Sequence, residues 1–87
     1  MSITVEFYGI ARARAGVSET VATGKNLGEV LSDLEQRFPT LASSCILNGQ
    51  LRAGFTANIG GSRFVTATDT PLPLDEPLLI LSMDAGG

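Results

Sequence analysis

Leu27, Val30, Leu31, Leu34 and Phe38 fall at i, i+3, i+4, i+7 and i+11, the clearest helical period in this 87-residue chain. A helix with one apolar stripe needs one apolar surface to cover, and the segments around it alternate with the period of strands. That combination directs the chain to an α+β domain: a mixed sheet of four to five strands with one main helix packed across it. Asn26 is placed to cap the helix, with Glu29 three positions on to complete a capping-box-like start. Pro39 disfavours helix at Phe38. Glu29, Asp33, Glu35 and Arg37 lie off the stripe and read as a solvated face.

The strands follow from alternation. Ile3, Val5 and Phe7 alternate with Thr4, Glu6 and Tyr8, which predicts a first strand over 2–8. After a stretch of small residues and arginines from Gly9 to Gly16, Val17 to Thr23 alternates again, giving a hairpin with a long loop that carries Arg12 and Arg14. The region from Thr40 to Gly54 has little pattern beyond the tight-turn pair Asn48-Gly49, so a small excursion or irregular loop is expected there. Phe55 to Ile59 and Ser62 to Thr66 flank Gly60-Gly61, a pair suited to the positive φ angles of a two-residue hairpin. An acidic, proline-containing turn over 69–77 then leads to a last strand apolar on both faces, with Leu79, Leu81 and Met83 one way and Leu78 and Ile80 the other. Such a strand is central, and its second face is an apolar patch of the kind a small protein keeps for a partner.

Composition narrows the function classes. Hydrophobic residues make up 44% of the chain, enough for the core of one domain covering 1–87. The single cysteine, Cys45, can form no internal bridge and reads as a small buried hydrophobe. The opening Met1-Ser2-Ile3-Thr4 lacks the regions of a signal peptide, so cytoplasmic residence is expected. No apolar run is long enough to span a bilayer, and a net charge of −3 argues against nucleic acid or an anionic membrane as partner. With no histidine and one cysteine, metal chemistry and autonomous acid–base catalysis are not expected, nor is a bound cofactor.

The ending Asp84-Ala85-Gly86-Gly87 carries the functional reading. Glycine has no Cβ, so Gly86 and Gly87 can thread a channel too narrow for any side chain and leave the terminal carbonyl unhindered. A carboxylate is a poor acyl donor until activated, most simply as an acyl-adenylate made by a separate enzyme that uses ATP. The protein would then be the substrate, with 84–87 a flexible functional tail. The competing reading is a terminus without chemical role.

The strand Ile3-Thr4-Val5-Glu6-Phe7-Tyr8, the helix start Asn26-Leu27-Gly28-Glu29-Val30-Leu31, the exit Arg37-Phe38-Pro39, the turn Asn58-Ile59-Gly60-Gly61 and the closing diglycine occur in the order of the ubiquitin-like β-grasp fold. The chain resembles the MoaD/ThiS family of sulfur carriers nearly end to end. The resemblance implies that Gly87 is adenylated by a ubiquitin-activating-type enzyme and converted to a thiocarboxylate, with Gly86 as its flexible neighbour. Because the last strand must also present the tail, Leu79, Leu81 and Met83, with Asp84 and Ala85 after them, read as a partner interface shared with the core, against a reading of the three apolar residues as core alone. The resemblance further implies a role as the small, non-catalytic, sulfur-donating subunit of molybdopterin synthase in molybdenum cofactor biosynthesis. The longer stretch through Asn48-Gly49-Gln50-Leu51-Arg52 is equally similar to carriers serving cysteine synthesis, and Leu74-Asp75-Glu76-Pro77 keeps the acids of the family's last turn without its glycine. Donation to a cysteine-forming or thiamin-thiazole enzyme, conjugation to target lysines as a protein modifier, and a plain binding module remain as alternatives.

Overall fold

The computed structural model describes residues 2–83; Met1 and residues 84–87 lie outside it. In chain order the elements are β1 (Ser2–Phe7), α1 (Ile10–Ala15), β2 (Glu19–Thr23), α2 (Leu27–Arg37), α3 (Pro39–Cys45), β3 (Ile46–Leu47), β4 (Gln50–Leu51), β5 (Phe55–Ile59), β6 (Arg63–Val65) and β7 (Leu78–Ser82). Five strands form one mixed sheet in the order β2-β1-β7-β5-β6, and β3 and β4 form a separate hairpin. The last strand therefore lies in the centre, parallel to β1 and antiparallel to β5. Mixed sheet, helix across it and central last strand together make the ubiquitin-like β-grasp architecture expected from the sequence.

Pleat parity sorts the side chains. Ile3, Val5 and Phe7 of β1, Ala22 of β2, Ala57 and Ile59 of β5, Val65 of β6 and Leu78 and Ile80 of β7 are all buried on one face. Leu27, Val30, Leu31 and Leu34 of α2 cover them, joined by Leu41 and Cys45 of α3. Phe7 and Phe38 meet edge to face with ring centroids 6.0 Å apart, closing the core where α2 ends. No helix among the described residues is long and apolar enough to cross a membrane.

The start of α2 follows the capping chemistry with one shift. The Asn26 side chain accepts the Glu29 amide at 2.9 Å. Glu29 reaches back to the Lys25 amide, also at 2.9 Å, one residue before the cap instead of at the cap itself. At the other end Phe38 leaves helical geometry with φ −125° and ψ 76°, and Pro39 opens α3 at its first position.

Three local readings are corrected. The segment from Gly9 to Gly16 is not a long loop: Ile10–Ala15 is helical, ended by Gly16 at φ 79°, so Arg12 and Arg14 lie on a helix. The stretch after Pro39 forms α3 and then a β3–β4 hairpin, turned by Asn48 and Gly49 at φ 54° and 73°. The β5–β6 turn has Gly60 and Gly61 at φ 63° and 81° and a Ser62-to-Ile59 backbone bond, but Ile59 pairs with Arg63, leaving Ser62 as an extra residue.

Candidate functional site: the uncovered face of the sheet

No helix covers the second face of the sheet, and its register is fixed by the ladders. Glu19 pairs with Glu6, Glu6 with Leu79, Leu79 with Asn58, and Asn58 with Phe64. These five side chains form one transverse row, running from two carboxylates at the β2 edge to an aromatic ring at the β6 edge. The neighbouring row holds Leu81 opposite Thr56.

The two ends of this face differ in chemistry. At the β6 side, Thr56, Phe64, Leu81, Ser82 and Met83 surround a mostly apolar concavity of about 470 Å³. Phe64 is 70% exposed and Met83 58%, unusual for side chains of this size unless something covers them. At the other side, Thr4, Glu6, Leu74, Asp75, Glu76 and Pro77 line a smaller hollow of about 260 Å³. Tyr8 donates to the Glu6 carboxylate, and that hydrogen bond, with partial desolvation and the nearby charges of Glu6 and Glu19, raises the phenol above its ordinary value.

Asn58 sits between these regions. It is the buried polar residue of the described chain, 5% exposed, and its Oδ1 has no hydrogen-bond partner. β5 places it there by alternation, with Ala57 and Ile59 turned to the core on either side.

The end of β7 is fastened from both flanks. The Tyr8 amide donates to Ile80 at 3.0 Å and the Met83 amide to Gly54 at 2.7 Å. Gly9, at φ 61°, lies so close to Ser82 that a Cβ there would collide with the serine hydroxyl. The position from which the chain continues past Met83 is thus set by the sheet.

Of the residues expected at the site, Leu79 and Leu81 are half-buried on the uncovered face and Met83 is exposed beside them. Asp84, Ala85, Gly86 and Gly87 lie outside the described residues. Phe64 and Asn58 were not singled out from the sequence, though alternation about the buried Val65 and Ala57 gave the signal. Cys45 is fully buried; burial pushes its thiol above the ordinary value, against the opposing pull of Arg14 and Arg52. Among the described residues no group of three or more His, Cys, Asp or Glu side chains could hold a metal ion.

The sequence matches no family model. No curated protein is significantly similar to it. Solved structures do share its fold. SAMP1 from Haloferax volcanii superposes with a TM-score of 0.80 at 16% identity, covering 100% of both chains. The BexX/CysO complex of Amycolatopsis orientalis contains a chain matching with a TM-score of 0.78 at 21% identity, over 98% of this chain and 99% of that one. A Pyrococcus furiosus chain described as subunit 1 of a molybdopterin converting factor matches with a TM-score of 0.74 at 16% identity, over 94% and 97%. All three share the β-grasp fold of this chain over 94% or more of its length.

Proposed function

We propose that the protein is a ubiquitin-like sulfur carrier of the MoaD/ThiS type, acting as the small subunit of molybdopterin synthase. The observation that carries this reading is the placement of β7: the central strand, held on both flanks, leads out beside an exposed apolar concavity and is followed in sequence by Asp84-Ala85-Gly86-Gly87. The shared fold of the molybdopterin converting factor subunit supports it.

In this reading the Gly87 carboxylate attacks the α-phosphate of ATP in a ubiquitin-activating-type enzyme, releasing pyrophosphate and forming an acyl-adenylate. A sulfur donor then displaces AMP and leaves a thiocarboxylate. The thiocarboxylate sulfur attacks a pterin precursor in the large subunit, and water then cleaves the acyl–sulfur bond, leaving the sulfur on the pterin and returning the carboxylate. This chain supplies the reactive terminus and the docking surface; the other catalytic groups come from its partners.

A second reading keeps the activation step and changes the acceptor. One structural neighbour is CysO, in complex with BexX, and others are small archaeal modifier proteins, which favours sulfur donation outside the molybdopterin pathway or conjugation to lysines. Intact-protein mass spectrometry after incubation with ATP, an adenylating enzyme and a sulfur source tests the shared step. Exchange of one oxygen for sulfur at Gly87 is expected. An unchanged terminus with each adenylating enzyme of the same organism would overturn the carrier reading, and diglycine remnants on lysines would move it to the modifier.

A further inference from the structure

We propose that Asn48 is a deamidation site, open to conversion to aspartate and isoaspartate at the β3–β4 turn and held in check by the Glu35 carboxylate of α2. Asn48 and Gly49 take φ 54° and 73°, the pair of positive angles that a two-residue hairpin turn demands. Asn48 is exposed, while Gly49 is buried against α2, where a Cβ would stand 2.9 Å from Ser32 Oγ. The turn therefore selects asparagine followed by glycine. Glycine is also the neighbour that leaves an asparagine side chain open to the following backbone nitrogen, because it has no side chain to block the approach.

The chemistry needs water as its only co-reactant. The Gly49 nitrogen bonds to Asn48 Cγ and gives up its proton, the side-chain nitrogen leaves as ammonia, and a succinimide ring remains. Water then opens the ring. Attack at Cγ restores the normal backbone with aspartate at position 48; attack at the main-chain carbonyl routes the backbone through the side chain as isoaspartate. Glu35 opposes the first step. Its Oε1 accepts the Gly49 amide at 2.9 Å and its Oε2 the Asn48 amide at 3.2 Å, so the attacking nitrogen has its N–H committed to a carboxylate and both turn residues are pinned. Either product opposes the return of the turn. Aspartate adds a second negative charge on the residue whose amide meets Glu35, and isoaspartate adds a backbone atom to the turn that sets Ile46 opposite Leu51 and Leu47 opposite Gln50. Ile46 belongs to the core, so the reaction is a one-way loosening of the hairpin.

The test incubates the full chain at neutral pH and follows the tryptic peptide 38–52, in which Asn48 is the only asparagine, by mass spectrometry with fragmentation that distinguishes the two aspartyl isomers. Asn26 and Asn58, followed by the bulky Leu27 and Ile59, are the references within the chain and are expected to stay unmodified. Asn48 is expected to convert about tenfold or more slowly in the folded protein than in denaturant. Glu35→Ala should raise the folded-state rate about tenfold or more, the scale of one charge-assisted hydrogen bond lost, and Glu35→Gln, which keeps a neutral acceptor, should raise it less. Asp33→Asn removes a different contact of α2 and should leave the rate unchanged. Amide spectra report whether each variant is folded, and if Glu35→Ala is not, Glu35→Gln carries the comparison. Equal rates in the folded and denatured parent, no acceleration on removing the Glu35 charge, or equal acceleration by Asp33→Asn would each overturn the proposal. Slower conversion without the carboxylate would overturn it too, making Glu35 a base for the reaction instead of its restraint.

Discussion

The carboxylate of Asp33 accepts the backbone amide of Thr23 at 2.9 Å, fastening the middle of α2 to the end of β2. Arg37, one turn on, bridges to Asp33 at 3.1 Å and also donates to the Val21 carbonyl at 2.6 Å. The apolar stripe brings the helix onto the sheet, and these polar contacts fix its lateral position at the edge strand.

This clamp predicts a pH dependence. Partial burial works against the Asp33 charge, but the Thr23 amide and the Arg37 guanidinium outweigh it and hold the carboxyl below its ordinary value of 3.8. A group depressed on folding contributes stability in full above its unfolded pKa and loses it as pH falls through the folded one. Asp33→Asn is therefore expected to cost about 1 kcal/mol at neutral pH, with the difference from the parent shrinking below about pH 4. Urea denaturation at both pH values reads the result; an equal deficit at each would show that charge plays no part.

The central position of β7 makes Leu78 a second test. It is fully buried, opposite Val5 on one side and Ile59 on the other. Leu78→Ala should lower unfolding free energy by about 2–5 kcal/mol, whereas Leu81→Ala, half-buried on the uncovered face, should cost about 1 kcal/mol or less. Chemical denaturation of both variants compares them directly, and similar losses would mean that the second face is packed as tightly as the first.

What could be read from the sequence follows the strength of each periodic signal. The α2 stripe and the β1 and β7 alternation each repeat over several residues, and each element was found where expected. α1 spans only six residues and buries just Ala11, too short a segment to show a helical period. α3 was hidden because Pro39, read as a stop for α2, is equally suited to start the next helix, and its Thr, Ser and Ala residues give little apolar contrast. For the site, alternation put Leu79 and Leu81 together on one face of the last strand, but which of its two apolar faces the helix would cover was not legible. It gave no means to see that Asn58 would be buried between Leu79 and Phe64, because that depends on pairing across three strands.

Gly60 gives a third prediction. It has φ 63°, its amide donates to the Pro77 carbonyl at 2.8 Å, and Glu76 occupies the space a Cβ would need. Gly60→Ala should lose about 1 kcal/mol or more, because αL strain and displacement of Glu76 add. Gly61→Ala meets only the strain, since nothing lies within 4 Å of its Cβ position, so its loss should be smaller. Thermal melts of the pair rank them, and the reverse order would remove Glu76 from the explanation.

Cys45 supplies a fourth. Its thiol is buried and held largely protonated, so thiol reagents should react with the folded protein far more slowly than with the protein in denaturant. Cys45→Ala should keep any sulfur loading at Gly87. Loss of loading with the fold intact would make the thiol a relay and would require an opening that brings it to the surface.

The last prediction concerns the tail itself. In the proposed chemistry the terminus must reach an enclosed adenylation site, and Gly86 contributes nothing except the absence of a side chain. Gly86→Phe should therefore leave the fold intact while reducing adenylation and sulfur loading by orders of magnitude. Adding one residue after Gly87 should block both steps by displacing the carboxylate from the reacting position. Mass spectrometry of the loaded product and denaturation of each variant separate chemistry from folding. If Gly86→Phe were loaded at the parental rate, the terminus would react in the open, and the partner's selectivity would have to come from the sheet face alone.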